Sequence, residues 1–153
     1  MIAFHRVLAP TDFSPHSQEA LRHACGLAEH FRAELHVVHV LSEIVPTGPD
    51  PLLMPVMSPQ YYAEDEQRAL EALKTQLKPE WGRPASVTHA VCWGAPAEAI
   101  VDYAAENQAD LIVIATHGRT GLKHVLLGSV AERIVREAPC PVLTIRSKPQ
   151  KGA

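Results

Sequence analysis

Gly118 and Gly121, in the run Gly118-Arg119-Thr120-Gly121, and then Gly128-Ser129, are the residues of this chain whose spacing most suggests chemistry. They stand between an uncharged, Ile/Val-rich run over 111–115 and a helical pattern that opens at Ser129. The first N–H groups of a helix have no partners inside it, and two glycine points near a helix start can turn several such donors toward one anion. A phosphate is the natural candidate. His117 and Lys123 could approach it, although single His and Lys residues in loops are commonly just exposed. Ser129 carries two readings, because Ser129-Val130-Ala131-Glu132 is a capping-box pattern in which the hydroxyl serves its own helix. The backbone N–H groups of Ser129 and Val130 can still face an anion there. Asp12, after Pro10 and Thr11, is ambiguous in the same way. Its carboxylate can accept from ribose hydroxyls or join a bound metal, or it can close a local turn and cap the next helix.

Other chemistries find little support. The sequence has no serine nucleophile elbow, no paired catalytic carboxylates and no GxxxxGK[ST] loop. Cys25, Cys92 and Cys140 are odd in number, far apart and without a CxxC, which indicates neither a disulfide framework nor a zinc site. His16, His23 and His30 recur every seventh residue, two helical turns apart and too distant to share one ion, so they read as surface histidines. Met54 and Met57 read as gap-filling side chains.

Elements must hold these residues in place. A strand over 4–9 stops at Pro10-Thr11-Asp12, and Ser14-Pro15 then opens a helix, serine as cap and proline in the first turn. Ala20, Leu21, Ala24, Leu27, Ala28 and Phe31 form its apolar stripe. A strand follows over 35–41. The periodicity next predicts a helix over 61–77, with Leu70, Leu73 and Leu77 inward and Glu64, Asp65 and Glu66 as an acidic first turn. A strand over 87–93, a helix over 97–107 with Ile100, Val101 and Ala104 inward, the strand at 111–115, the helix from Ser129 and a last strand over 141–145 complete the chain. Five strands alternating with four helices predict an α/β fold, a single doubly wound parallel sheet. In such sheets ligands bind beyond the carboxyl ends of the strands, where the winding reverses. If strands one and four flank that point, the turns at 10–12 and 115–118 face one crevice. Residues 42–59 hold Pro46, Pro49, Pro51, Pro55 and Pro59, and no regular element fits them. Their apolar residues suit either a lid or partner contact, or a loop covering its own domain.

Composition bounds the rest. A chain of 153 residues suits one domain with a real core, here 1–147 with a short tail over 148–153. The net charge of -3, with basic residues scattered among acids, offers no general attraction to nucleic acid. No apolar run approaches the roughly 18 residues of a membrane span. The start of the chain reaches Asp12 without the long apolar stretch of a signal peptide, so a soluble, unprocessed, cytoplasmic protein is expected.

The frame Ala115-x2-Gly118-x9-Gly128-Ser129, flanked by Asp110-Leu111-Ile112-Val113 and Pro139-Cys140-Pro141-Val142-Leu143, resembles the universal stress protein family, and the likeness runs over about residues 4–146. Nucleotide-binding members of that family carry G-x2-G-x9-G-[ST]. Here alanine replaces the first glycine. A position that needs positive φ would cost alanine roughly 1–2 kcal/mol, whereas a strand-like one would not, and strand four runs straight into Ala115. The resemblance implies an adenine nucleotide alpha hydrolase-like (HUP) architecture with sheet order 3-2-1-4-5. It implies an ATP site in which Pro10, Thr11 and Asp12 line the adenosine end, Asp12 on the ribose and Val40 near adenine. Ala115, His117, Gly118 and the adjoining Arg119 would neighbour ribose and phosphate, and Gly128, Ser129 and Val130 would wrap the outer phosphates. Mg2+ or Mn2+ would come with the nucleotide through phosphate oxygens and water, since the sequence shows no dedicated carboxylate cage. It further implies a homodimer paired through the last strand, from Pro141 to Ile145, and a stress-response sensor or adaptor. Two other functions fit the same residues: a dimeric interaction module that does not bind ATP, with an unknown protein partner, and a slow ATPase or phosphotransferase. In the latter His117 or Ser129 would assist, with Arg119 and Lys123 as the nearby cations.

Overall fold

The computed structural model describes residues 1–43, 58–118 and 126–147. In chain order the elements are β1 (Arg6–Pro10), α1 (Pro15–Phe31), β2 (Glu34–Leu41), α2 (Pro59–Lys74), β3 (Ser86–Trp93), α3 (Pro96–Glu106), β4 (Leu111–Ala115), α4 (Ser129–Glu137) and β5 (Val142–Ile145). The strands form one parallel sheet in the order β3-β2-β1-β4-β5, as expected. Every residue of β4 and the last four of β1 are buried, which explains their nearly unbroken apolar runs: a central parallel strand is covered on both faces.

Two cores lie on the two faces. Val7, Leu35, Val37 and Val113 point toward α1, where Leu21, Ala24, Cys25 and Ala28 meet them, and α2 adds Leu73. Leu8, Val38, Ile112 and Ile114 point the other way, toward Ile100 and Ala104 of α3 and Ala131 and Ile134 of α4. Period-two alternation along each strand thus feeds both layers. At roughly 1.5–3 kcal/mol for each fully buried Leu, Ile or Val side chain, these contacts supply the main drive for folding.

Several boundaries differ from the periodicity. Phe4 lies outside β1 and packs edge-on against Phe31, with ring centroids 5.0 Å apart, while Pro10 is the last residue of the strand. Helix α2 begins at Pro59, because Ser58 caps it by accepting from the Tyr61 N–H at 3.2 Å. That repeats the Ser-Pro start of α1, where Ser14 accepts from the Ser17 N–H at 3.2 Å. Glu64, Asp65 and Glu66 consequently lie beyond the first turn of α2 instead of forming it. The helix ends at Lys74, so Leu77 joins the core from the connection that follows. A 3-10 turn, Pro79–Trp81, also appears without an apolar pattern to announce it. Most of the proline-rich stretch, residues 44–57, lies outside the described residues, as does the tail over 148–153. No helix among the described residues is long and apolar enough to cross a membrane.

Candidate functional site

Strands β1 and β4 are neighbours, in register Val7↔Leu111 and Leu8↔Ile112. Their carboxyl ends therefore bring the turn Pro10-Thr11-Asp12 beside Ala115-Thr116-His117-Gly118, and the start of α4 closes the far side. Between them lies a cleft of about 270 Å³. Ten residues singled out from the sequence line it: Pro10, Thr11, Asp12, Val40, Ala115, His117, Gly118, Gly128, Ser129 and Val130. Arg119, and with it Thr120, Gly121 and Lys123, lies outside the described residues. The cleft also takes in Ser17, Val38, His39, Pro96, Ile100, Ile114, Thr116 and Ala131, which the motifs do not reveal. Val38 had a signal, since it shares a strand face with Val40; Ile100 read only as a core position of its helix, and Ala131 only as part of the capping-box pattern.

The Asp12 turn is built from short side chains. Asp12 Oδ1 accepts from the Ser14 N–H at 3.0 Å, and Thr11 Oγ1 accepts from the Phe13 N–H at 3.0 Å. The Thr11 and Ser17 hydroxyls are 2.9 Å apart, and Ser17 Oγ donates to the Ser14 carbonyl at 2.9 Å. Thr11, Ser14 and Ser17 are all buried. Asp12 thus closes a local turn, while the cap of α1 falls to Ser14. That does not exclude a ligand role, because a carboxylate offers about four acceptor sites. Its other oxygen, Oδ2, faces Gly118 so closely that a Cβ there would stand 2.7 Å away. Gly118 is glycine because of that approach, not because of its φ.

At the opposite wall the Gly128 N–H donates to the Thr116 carbonyl at 2.6 Å, pinning the chain against the end of β4. This bond holds Gly128 extended, with φ -66° and ψ 157°, as the cap residue of α4. Ser129 is then the first helical residue, and Gly128, having no side chain, makes no side-chain cap bond. The capping box expected of Ser129 and Glu132 does not form, since the tertiary bond of Gly128 places the cap, and with it the helix start, one residue earlier. Gly128 spends its own N–H on Thr116, which removes it from the donors open to an anion. The Ser129, Val130 and Ala131 N–H groups are the ones without intrahelical partners, and all three residues line the cleft.

Ala115 is the last residue of β4, buried, with no positive φ, so alanine costs the backbone nothing there. His117 is half-buried, with Nδ1 3.0 Å from Thr116 Oγ1. His16 is not a plain surface residue: its ring lies 6.4 Å from that of His117, and its Nδ1 meets Ser147 Oγ beyond β5. His23 instead turns Nδ1 to the Glu19 carbonyl at 2.8 Å, so the heptad of histidines does not converge. Burial pushes the Cys25, Cys92 and Cys140 thiols up, away from a reactive thiolate.

The cleft therefore combines apolar side chains at Val38, Val40, Pro96, Ile100 and Ile114, the Asp12 carboxylate, and amides at the start of α4 that have no partner inside their helix. Such a set of surfaces matches a heterocyclic base, a hydroxylated sugar and an anion. Among curated proteins, universal stress protein MJ0531 of Methanocaldococcus jannaschii is 37% identical over 148 residues, spanning 97% of this chain and 85% of that protein. Among solved structures, universal stress protein UspA from Lactobacillus plantarum superposes with a TM-score of 0.73 at 27% identity, covering 95% of this chain and all of the other. A universal stress protein in complex with cAMP superposes at 0.67 with 25% identity, covering 96% and 100%. These neighbours share the HUP-like α/β architecture of the sheet described above. The family model for universal stress proteins matches residues 3–146, which contain the whole sheet and both walls of the cleft, and the chain belongs to the universal stress protein family.

Proposed function

We propose that this chain binds ATP in the cleft between β1 and β4 and acts as a nucleotide-responsive sensor or adaptor in the stress response. The observation that carries this reading is the meeting of three surfaces in one cleft: apolar side chains at Val40 and its neighbours, the Asp12 carboxylate, and the amides of Ser129 and Val130. In it adenine packs by Val40, the ribose hydroxyls donate to Asp12, and the phosphates meet the start of α4 beside His117 and Gly118. That a family relative was solved with cAMP supports an adenine nucleotide as the ligand class. Mg2+ or Mn2+ accompanies the phosphates through water, since among the described residues no three metal-ligating side chains converge. Binding rather than turnover is the function.

The proposed assembly is a cytoplasmic homodimer through β5. Among the described residues this strand pairs only with β4, at the end of the sheet order, and its Leu143 is 39% exposed. Isothermal calorimetry with ATP and Mg2+ tests the ligand, together with mass spectrometry of whatever the purified protein releases. Saturable binding is expected, with about 2.7 kcal/mol of added stability at 100 times the dissociation constant. No heat and no thermal shift at millimolar ATP would remove the proposal.

A further inference from the structure

His39 lines the cleft between Val38 and Val40, yet the base, ribose and phosphate contacts proposed above give it no part. Its Nδ1 lies 2.8 Å from the carbonyl oxygen of Thr11. A carbonyl oxygen only accepts, so Nδ1 carries the proton and the neutral ring keeps its lone pair on Nε2. The β1–β2 register ends at Pro10↔Val38, and the Thr11 N–H donates to the Val38 carbonyl at 2.8 Å just beyond it. The imidazole supplies the donor for the next carbonyl. Thr11 is thereby tied to β2 at both of its backbone polar groups, once by backbone and once by side chain.

The residues that follow show why such a tie matters. Phe13 has φ 64°, a region that bulky side chains rarely adopt. Its ring packs on His39 with centroids 4.4 Å apart, and its N–H is held by Thr11 Oγ1 at 3.0 Å. Between these two fixed residues stands Asp12. The Thr11 carbonyl belongs to the peptide that leads into Asp12, so the direction in which this carbonyl points sets where the Asp12 backbone leaves the strand. The imidazole face then supports the unusual turn at Phe13, and the Ser14 N–H completes it by donating to Asp12 Oδ1 at 3.0 Å.

We propose that His39 is a positioning residue of the nucleotide site: its Nδ1–H fixes the Thr11–Asp12 peptide, and its ring supports Phe13, so that the Asp12 carboxylate stays beside Gly118. This rests on the ATP reading for its consequence but not for its geometry. In this reading the ring acts through the turn and not as a nucleotide contact. It keeps the ribose acceptor in place before the ligand arrives, which is preorganisation of the kind that raises affinity without adding a contact.

Three variants separate this role from simple packing. His39→Asn keeps an amide N–H where Nδ1–H lies, His39→Gln moves the amide out to the Nε2 position, and His39→Ala removes it. The first readout needs no nucleotide. Nitrogen-15 NMR of the wild-type ring should show the Nδ1-protonated tautomer, and hydrogen exchange at the Phe13 and Ser14 amides should quicken about tenfold or more in His39→Gln and His39→Ala but stay within about threefold in His39→Asn. The second readout is calorimetric affinity for ATP with Mg2+. His39→Gln and His39→Ala should lose roughly tenfold, and His39→Asn should be rescued to within about threefold of wild type. Should His39→Ala fail to fold, the contrast between Asn and Gln carries the test of the hydrogen bond, because both lack the ring and differ by the one methylene that moves the amide. An Nε2-protonated tautomer, unchanged exchange in His39→Gln, or Gln and Asn variants of equal affinity would overturn the proposal. If wild type binds no ATP while the tautomer and exchange come out as stated, the ATP reading fails and the positioning of Asp12 by His39 stands.

Discussion

Gly118→Ala is the substitution that bears hardest on the two-walled cleft. The new methyl carbon would stand 2.7 Å from Asp12 Oδ2, against an ordinary contact distance of 3.4 Å or more. Gly118 has no left-handed φ, so the backbone accepts alanine and the collision alone is probed. The carboxylate must withdraw by about 0.7 Å to restore normal contact. Rotation of the short Asp12 side chain carries Oδ1 off the Ser14 N–H, now 3.0 Å away. Hydrogen bonds to charged groups contribute about 1.5–3 kcal/mol, and water replaces part of the loss at this half-buried site, so about 1–2 kcal/mol of stability should go. For a chain of this length that is a fall in Tm of roughly 2–8 °C. With Asp12 displaced from the ribose, ATP affinity should drop by about ten- to a hundredfold. Thermal melts and calorimetry measure both. A double variant supplies the control: in an Asp12→Ala background Gly118→Ala should be nearly neutral, because the two residues share one interaction. Full affinity and an unchanged Tm for Gly118→Ala, or equal losses in the two backgrounds, would refute the reasoning.

Three further outcomes follow from the same geometry. Ser14→Ala should cost about 1 kcal/mol in denaturant unfolding, because Ser14 caps α1, whereas Ser129→Ala should change stability by less than about 0.5 kcal/mol, because Gly128 holds the cap position of α4. Burial, helped by the Arg6 charge, pushes the His36 imidazole below its ordinary range, against a weaker pull from Glu34. The folded chain therefore resists a proton that the unfolded chain accepts, so this contribution to stability is present above pH about 6.5 and is lost as pH falls below it. Burial shifts His89 the same way, and melting temperature should decline from pH 7.5 to 5.5 with a shallower slope in His36→Gln. Last, Leu143→Asp on β5 should convert the proposed dimer to monomer in sedimentation velocity while leaving ATP affinity within about twofold.

Much of the fold was legible because it depends on local patterning. The bounds of β4 follow from an uncharged run between Asp110 and the Thr116-His117-Gly118 turn, and α1 announces itself by Ser14-Pro15. The same Ser-Pro signal at Ser58-Pro59 is masked by the four prolines before it, so the periodicity starts α2 too late and misplaces its acids. At the site, ten of the lining residues were readable from the motifs, the eight others were not, and the hydrogen-bonding duties of neither group were. A capping box is a local inference; the Gly128 N–H bond to Thr116, which shifts the start of α4, is a tertiary one. His39 reaches Thr11 across 28 residues of chain and a strand pairing, and nothing in their spacing reveals it. His16 reads as a surface residue by its heptad spacing, yet α1 carries it to Ser147 beyond β5 and to within 6.4 Å of the His117 ring.

The most direct test of the central claim is a crystal structure of the chain with ATP and Mg2+. The account predicts the adenine against Val40, the ribose on the Asp12 carboxylate, and the phosphates at the amides of Ser129 and Val130. A nucleotide bound elsewhere on the molecule, or a cleft that stays without nucleotide at saturating ATP, would contradict it.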